Sequence, residues 1–376
     1  EQPTPLKVTY GSGAILGFAS NDTLRFGSVV LEDQSFIIVE EAALPPERQW
    51  DGICGLAWGA LSKAGHPLYE HFQRKGYPAF FAFLPSTAHE ADLVLGAMPD
   101  TAIKPGTLVW APTEPISPWM HTWWGTKQTF WVTTGALAVR ARLPTRARFL
   151  VDTGTNQILL TPPRYYHALM KSLLPSDMFH HLCGIDRAVG HLVVCDCRVA
   201  RNTSLPPLRI YLGGRPFVLP VSSLFMSVPS RDGTTDLCLL QILPNGMWNV
   251  KSSSSGGEPD IVGGFLQGIL DPGLGPQAGP DADDLGARLM PDGSVCQTYI
   301  MHQQGGKRMS QCTAPGADAE ATGQGQPSSE NPMDDLWVLG GLFLERFVCV
   351  FDFDRARIGF AEPAYYSGQK EGEVWP

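Results

Sequence analysis

Short apolar runs separated by glycine- and proline-containing turns recur along most of the chain. The run Lys7–Tyr10 is followed by Gly11, Ser12 and Gly13 and then by a second apolar run at 14–18. Such a turn between two β-type runs predicts a β-hairpin. Further strands are predicted at 23–26, 28–31, 80–83, 93–95, 130–133, 137–139, 208–212, 216–219 and within 337–360. The pattern therefore predicts an all-β fold.

Helical periodicity is confined to a few short segments. Residues 61–74 are predicted to be helical with a break near His66 and Pro67, and residues 164–174 are predicted to form a short helix after Pro162 and Pro163. Helices are thus expected to be a minor part of the fold.

Two segments differ in composition from the strand-rich remainder. Residues 104–118 are proline-rich and suit a connection between lobes. Residues 250–335 are rich in Gly, Pro, Ala, Asp and Gln, apart from a more apolar stretch at 285–301. Because such segments bury little apolar surface, we expect a largely disordered or loosely packed surface insertion there.

Composition narrows the class of protein. The chain has 376 residues, of which 43% are hydrophobic and 17% charged, so it can bury a large core in one or two domains. Its net charge of −9, without a long Lys/Arg cluster, argues against nucleic-acid binding. No apolar run approaches the roughly 18 residues of a membrane span.

The cysteines and sequons favour an oxidising compartment. Eight cysteines are present without a Cys-x-x-Cys pair, so zinc-ribbon spacing is absent. The sequons at Asn21 and Asn202 permit glycosylation of a secreted chain. The sequence alone does not fix which cysteines pair.

The most specific motif is the stretch 149–155. An apolar strand ends at Asp152, Thr153, Gly154 and Thr155 follow, and a second apolar run begins at Ile158. A turn of this composition occurs by chance in some chains, so the rest of the sequence must decide its meaning.

Four other stretches, in order, give that motif its context. They are Val8–Gly13, Asp51-Gly-Ile-Cys-Gly-Leu-Ala57, Trp337-Val-Leu-Gly340 and the strands 350–352 and 358–360. With the loop at Asp152, they resemble the pepsin-like aspartic peptidases in order and flanking sequence. Asn156 departs from the serine usual in that family, and the 99 positions from Cys238 to Trp337 exceed the spacing in pepsin.

The resemblance implies a bilobal all-β acid-protease fold with a few short helices. It implies an aspartic endopeptidase in which two carboxylates share one proton and activate a water molecule. Asp152 would be catalytic, supported by Thr153, Gly154 and Thr155, while Tyr10, Gly11, Ser12 and Gly13 would form the flap over the substrate. It further implies no cofactor or metal, polypeptide substrates, an acidic optimum, pepstatin sensitivity, a propeptide and a monomer in the secretory or endolysosomal pathway or outside the cell.

One expected part of the family pattern is missing from the sequence. The family carries two Asp-Thr-Gly loops, and only the second is present, so we expect the first to lie upstream of Glu1. Residues 1–113 would then be the remainder of the N-terminal lobe and residues 114–376 the C-terminal lobe. The alternatives are a catalytically inactive homologue that binds peptides or acts as a scaffold, and a homodimer that supplies two copies of Asp152.

The resemblance also suggests disulfides. The family's large disulfide loop would join Cys238 to either Cys195 or Cys197, and Cys183 could take the other of those two. Cys296 could pair with Cys312 inside the insertion. Cys54 and Cys349 lie in apolar runs and are expected to be buried free thiols.

Two other patterns have weaker interpretations. The glycines at 11, 13 and 17 superficially resemble a dinucleotide-binding loop, but their spacing is wrong and no βαβ pattern follows. His66 and His71, near Glu70, are five positions apart and lack the i, i+4 spacing of a zinc helix. Neither pattern predicts a cofactor.

Overall fold

The computed structural model describes fourteen ranges of the chain. They are 4–10, 13–27, 29–43, 51–85, 92–116, 128–140, 146–155, 159–186, 192–228, 237–245, 287–289, 295–301, 307–313 and 335–364. Two compact units are distinguished, one comprising 1–270 with 329–376 and the other 271–328.

β-Strands dominate the described residues, which confirms the all-β prediction. The strands are β1 Leu6–Tyr10, β2 Gly13–Phe26, β3 Val29–Ala43, β4 Phe80–Leu84, β5 Asp92–Leu95, β6 Val109–Pro112, β7 Val132–Ala138, β8 Ala147–Val151, β9 Leu159–Thr161, β10 Cys183–Asp186, β11 Leu192–Asp196, β12 Leu208–Leu212, β13 Arg215–Leu219, β14 Phe225–Val228, β15 Leu237–Leu240, β16 Ile242–Pro244, β17 Ala287–Leu289, β18 Val295–Met301, β19 Lys307–Thr313, β20 Trp337–Leu339, β21 Val348–Asp352 and β22 Arg357–Ala361.

The helices are short. They are α1 Leu68–Arg74, α2 Pro163–Leu173, α3 Ser176–Leu182, α4 Cys197–Ala200 and α5 Gly341–Leu344, with single 3-10 turns at Gly59–Leu61, Asp100–Ala102 and Val221–Leu224. The predicted helix at 61–74 is confined to α1, because Pro67 is extended and serves as its N-cap. The helix predicted at 164–174 is α2, which begins one residue earlier, with Pro163 in its first turn, and ends at Leu173.

Strands β1, β2 and β3 form an antiparallel sheet at the start of the chain. Tyr10 pairs with Gly13, so the predicted hairpin has a two-residue connection. Strands β2 and β3 are much longer than predicted, since a register shift between Asp22 and Leu24 lets pairing continue where turn residues suggested a loop.

A seven-stranded sheet positions the Asp152 loop. Its order is β13-β12-β7-β8-β20-β9-β16, with β20 parallel to β8 and antiparallel to β9. Both faces of β8 are covered, because Phe149 packs in one core cluster and Leu150 in another. Burial on both faces explains the nearly continuous apolar sequence that precedes Asp152.

A five-stranded sheet, ordered β5-β4-β21-β22-β6, joins segments far apart in sequence. Phe81 of β4 pairs with Phe351 of β21, and their rings stack with centroids 4.5 Å apart. The sheet contains strands from both of the predicted lobe segments. The boundary at residue 113 stays a prediction.

A four-stranded sheet, ordered β10-β11-β15-β14, carries two disulfides. Cys183 is bonded to Cys195 and Cys197 to Cys238, which selects one of the two pairings left open by the sequence. Cys349 is buried as predicted, but Cys54 is exposed. The prediction for Cys54 is wrong because its apolar stretch does not lie between strands.

The unit 271–328 contains an antiparallel sheet of its own, ordered β17-β18-β19. The register places Cys296 opposite Cys312, while a bond between them stays a prediction. The expected disorder of 250–335 otherwise falls on residues outside the described ranges.

Within the described ranges, no helix is long and apolar enough to cross a membrane. The same ranges contain no group of three or more His, Cys, Asp or Glu side chains arranged to hold a metal ion.

Candidate active site

Asp152 lies directly after the last residue of β8, at the centre of the seven-stranded sheet. Its backbone N–H donates to the carbonyl of Leu339 on β20, with an N–O distance of 3.1 Å. The preceding residue, Val151, pairs with Leu339 in the parallel ladder and donates to the carbonyl of Trp131 at 2.9 Å. The chain therefore enters the loop with its backbone held on both sides.

Two donors from the same loop orient the carboxylate of Asp152. The backbone N–H of Gly154 donates to Oδ1 at 2.9 Å, and the hydroxyl of Thr155 donates to Oδ2 at 2.6 Å. Each carboxylate oxygen thus has its own fixed donor. The half-buried side chain retains further lone pairs for other partners.

Gly154 has a steric role in this arrangement. A Cβ atom built at this position would lie 3.2 Å from Oδ1 of Asp152, which is closer than nine in ten ordinary Cβ contacts. A side chain here would crowd the same oxygen that the Gly154 N–H must reach. The loop therefore favours glycine because of the close approach of backbone to carboxylate.

The far end of the loop is tied to the segment after β20. The N–H of Gly341, at the start of α5, donates to the carbonyl of Thr155 at 2.7 Å. The N–H of Thr155 also donates to the carbonyl of Asp152 at 3.3 Å and closes the turn. Sequence analysis did not identify Gly341 as a loop contact, since only its place after the Trp337-Val-Leu-Gly motif indicates it.

Aromatic side chains pack around the strand that precedes the loop. Phe149 and Trp337 are fully buried, lie opposite each other in β8 and β20, and have ring centroids 6.5 Å apart. Tyr165 of α2 stacks on the same tryptophan, with ring centroids 5.8 Å apart. These rings leave β8 little freedom to move, so the position of the loop is well defined.

The three predicted support residues differ in their contacts with the Asp152 carboxylate. Thr155 contacts the carboxylate through its hydroxyl and Gly154 through its amide, whereas within the described part of the chain no hydrogen bond joins Thr153 to it. Thr153 is exposed. The roles predicted for these residues stay predictions.

Of the predicted flap residues, Tyr10 and Gly13 lie within the described ranges. Tyr10 ends β1 and is half-buried, and burial raises the pKa of its phenol. Gly13 begins β2, while Gly11 and Ser12 lie outside the described residues. Among the described hydrogen bonds and ring contacts, none joins Tyr10 to the Asp152 loop.

Two stretches of similar sequence have different environments. Val338-Leu339-Gly340 is buried, and its two strand residues pair with β8 on one side and β9 on the other. Ile53-Cys54-Gly55 is exposed and is not in a strand. The exposed fraction of Ile53 is 51%, so this apolar stretch lacks the cover that its counterpart has.

Comparison with known proteins identifies the family. A model of the eukaryotic aspartyl protease family matches residues 1–267, which is most of the chain. The chain belongs to this family. The match includes the β1–β2 hairpin, the stretch 51–57 and the Asp152 loop, so three of the five stretches that carried the resemblance lie within it.

The similar proteins include several pepsin-like proteases. Pregnancy-associated glycoprotein 2 of Bos taurus is 30% identical over 162 residues, which cover 42% of this chain and 41% of that protein. Gastricsin of Homo sapiens is 28% identical over 58% of this chain and 53% of that protein. Cathepsin D of Clupea harengus is 24% identical over 63% of this chain and 56% of that protein. The chain thus spans about half the length of the curated relatives it matches.

A solved structure supports the fold. The aspartic proteinase from Irpex lacteus superposes with a TM-score of 0.58, covering 97% of this chain and 82% of that protein at 17% sequence identity. At this identity the likeness concerns the fold alone. It agrees with the bilobal pepsin-like architecture predicted from the motifs.

Proposed function

We propose that the protein is an aspartic endopeptidase that hydrolyses polypeptides with a carboxylate-activated water, and that Asp152 is one of its two catalytic aspartates. The observation that carries the proposal is the geometry of the loop. Both oxygens of Asp152 are oriented by donors within three residues, at the end of a strand buried on both faces. A catalytic carboxylate requires this kind of preorganisation.

The proposed chemistry needs a second carboxylate close to Asp152. Two such groups share a proton, because like charges a few ångströms apart do not both ionise readily, and they titrate as a pair. The ionised member removes a proton from water, while the protonated member polarises the carbonyl of the peptide bond. The amide and hydroxyl of the loop keep Asp152 oriented throughout.

We place the second aspartate in residues that precede Glu1. The contrast between the buried Val338-Leu339-Gly340 and the exposed Ile53-Cys54-Gly55 supports this placement. At the buried stretch, Leu339 is flanked by β8 and β9, which are the strands that enter and leave the Asp152 loop. By analogy, two strands flanking Ile53 and Cys54 would carry the other loop.

We assign the β1–β2 hairpin to the flap, with Tyr10 at its end. A tyrosine phenol is protonated across the acid and neutral range, and burial raises the pKa of Tyr10 further, so its hydroxyl remains a donor there. In this proposal the hairpin closes over a polypeptide held in the cleft. The enzyme works as a monomer and needs no metal or organic cofactor.

The proposed setting is the secretory or endolysosomal pathway, or the extracellular space. The Cys183–Cys195 and Cys197–Cys238 disulfides support it, because structural disulfides persist mainly in oxidising compartments. One relative is itself named a glycoprotein.

The first test is the sequence of the 5′ end of the transcript. We expect an in-frame Asp-Thr-Gly followed by Ser or Thr, in an apolar context, upstream of Glu1. A start codon or signal peptide leading directly into Glu1 would leave a protein with only one Asp-Thr-Gly aspartate and would favour the inactive, peptide-binding homologue.

The second test is proteolysis by the protein expressed with its upstream residues. We expect pepstatin-sensitive cleavage of a denatured protein at low pH, which Asp152→Asn should abolish. Asp177→Asn is a matched control, because Asp177 is exposed in α3 and lies outside the loop. Full pepstatin-sensitive activity in Asp152→Asn would refute the assignment.

A further inference from the structure

The two N-glycosylation sequons lie in different local structures. Asn202-Thr203-Ser204 forms a turn after α4, whereas Asn21-Asp22-Thr23 lies within β2. We propose that Asn202 carries an N-linked oligosaccharide and that Asn21 is the poorer acceptor. The proposal rests on the secretory setting proposed above but not on catalytic activity.

The turn at Asn202 brings the residues of its sequon together. Oδ1 of Asn202 accepts from the backbone N–H of Ser204 at 3.0 Å and from the Ser204 hydroxyl at 2.7 Å. The side-chain amide is thereby held through its oxygen. Within the described part of the chain, Nδ2 of Asn202 makes no hydrogen bond, and Thr203 and Ser204 are exposed.

The contacts that hold this turn are local. The Asn202 N–H donates to the carbonyl of Val199 at 3.1 Å, and the Leu205 N–H donates to the carbonyl of Asn202 at 3.2 Å. All of these contacts span three residues or fewer. The turn can therefore form in a nascent chain, before the sheets around it are assembled.

Asn21 has the opposite arrangement. It pairs with Ser35 of β3, and its Nδ2 donates to Oδ1 of Asp33 at 2.9 Å. The reacting nitrogen is therefore engaged by a residue twelve positions away. The local hydrogen bond of this sequon instead joins the Thr23 N–H to Oδ1 of Asp22 at 2.6 Å, and no described contact joins Thr23 to the Asn21 side chain.

The proposed reaction is a glycosyl transfer from a lipid-pyrophosphate-linked oligosaccharide, catalysed by an oligosaccharyltransferase. A bond forms between Nδ2 of Asn202 and C1 of the first N-acetylglucosamine. The bond from C1 to the pyrophosphate oxygen breaks, the lipid pyrophosphate leaves with the bonding electrons, and Nδ2 loses one proton. No oxidant or reductant is needed.

The folded protein also accommodates the product better at Asn202. A glycan there replaces a proton on a nitrogen without a described partner, while the two contacts to Oδ1 remain in place. A glycan on Asn21 would have to coexist with, or break, the contact to Asp33 across the hairpin. We therefore expect Asn202 to be occupied in most molecules and Asn21 in few.

The test measures site occupancy in eukaryotic cells, with a cleavable secretion signal on the full chain. Glycans are removed with peptide-N-glycosidase F in ¹⁸O-labelled water, which marks each formerly modified asparagine as labelled aspartate. Peptide mass spectrometry then gives the labelled fraction at each site. Material is taken from the microsomal fraction as well as the medium, so that chains retained before secretion are counted.

Matched variants separate the two sites. Asn202→Gln and Ser204→Ala should each remove most of the shift in electrophoretic mobility that peptide-N-glycosidase F produces. Asn21→Gln should leave that shift in place. Ser204→Thr should keep Asn202 occupied, because a hydroxyl remains at that position. The expected occupancy at Asn202 is several-fold higher than at Asn21.

Equal or higher occupancy at Asn21 would overturn the proposal, as would an unlabelled Asn202 in material from the microsomal fraction. Because occupancy is read by mass, these results are independent of proteolysis. An inactive Asp152→Asn protein that is still glycosylated at Asn202 would separate the two proposals.

Discussion

The two disulfides of the four-stranded sheet should differ in their contribution to stability. The perturbation removes each bond by replacing both partners, as Cys197→Ala with Cys238→Ala or as Cys183→Ala with Cys195→Ala. Replacing both cysteines avoids leaving a single reactive thiol. Each pair of changes keeps the rest of the core cluster that surrounds Cys195, Cys197 and Cys238.

The magnitudes follow from the loops that the bonds close. Cys197 and Cys238 are 41 positions apart, and Cys183 and Cys195 are 12 apart. The chain-entropy relation gives about 4 kcal/mol for the longer loop and about 3 kcal/mol for the shorter one. The longer-loop variant should also lose more packing, since both of its cysteines are buried whereas Cys183 is half-exposed.

The assay is unfolding in urea followed by tryptophan fluorescence, for which the buried Trp131 and Trp337 are reporters. We expect both variants to unfold at lower urea than the wild type, and the longer-loop variant at the lowest. The control is the wild type with both disulfides reduced and its thiols blocked, which should be less stable to urea than either variant. A shorter-loop variant that loses as much free energy of unfolding as the longer-loop variant would refute the reasoning, as would a Cys195–Cys238 peptide in the wild-type digest.

Three further changes test separate features. Thr155→Val removes the hydroxyl that donates to Asp152 at 2.6 Å. A hydrogen bond to a charged group contributes about 1.5–3 kcal/mol, so we expect kcat to fall roughly 10- to 100-fold. Thr155→Ser keeps a hydroxyl and should restore kcat. Lys104 and Arg215 donate hydrogen bonds to Glu362 and lower the pKa of its carboxyl, so its stabilisation is present above the ordinary glutamate pKa and is lost as pH falls through the lowered value. Glu362→Gln should therefore reduce the free energy of unfolding by about 1 kcal/mol at pH 6 and by much less at pH 3, and an equal loss at both pH values would contradict this account. Gly135→Ala places a Cβ 2.1 Å from the carbonyl oxygen of Tyr211, so thermal unfolding should show about 1–3 kcal/mol of destabilisation, and an unchanged Tm would contradict the pairing of β7 with β12.

The sequence predicted the parts of the fold that depend on neighbouring residues. The β1–β2 hairpin follows from a glycine-containing turn between apolar runs, and α2 follows from Pro162 and Pro163. The strand before Asp152 was predicted because burial on both faces leaves an almost continuous apolar run. In each case the information lies within about ten residues.

The parts that were missed depend on distant partners. The continuation of β2 through Ser20 and Asn21 needs β3 as its partner, and local turn residues gave the opposite signal. Cys54 was predicted to be buried because it lies in an apolar run, but its exposure is decided by whether other strands cover that run and not by the run itself. Likewise, Gly341 contacts Thr155 across 186 positions, and only its place after the Trp337-Val-Leu-Gly340 motif indicates this contact.

The position of β20 between β8 and β9 has a consequence for biosynthesis. Leu339 follows Asp152 by 187 positions, yet its carbonyl and its ladder with Val151 are needed to hold the loop. At about 5–20 residues per second, a ribosome takes roughly 10 to 40 s to cover that distance. During that time β8 has no β20 strand to pair with, and the backbone contacts that hold the Asp152 loop form only after β20 emerges. A nascent chain arrested before residue 337 should therefore contain Asp152 without the β20 contacts that fix the position of its backbone.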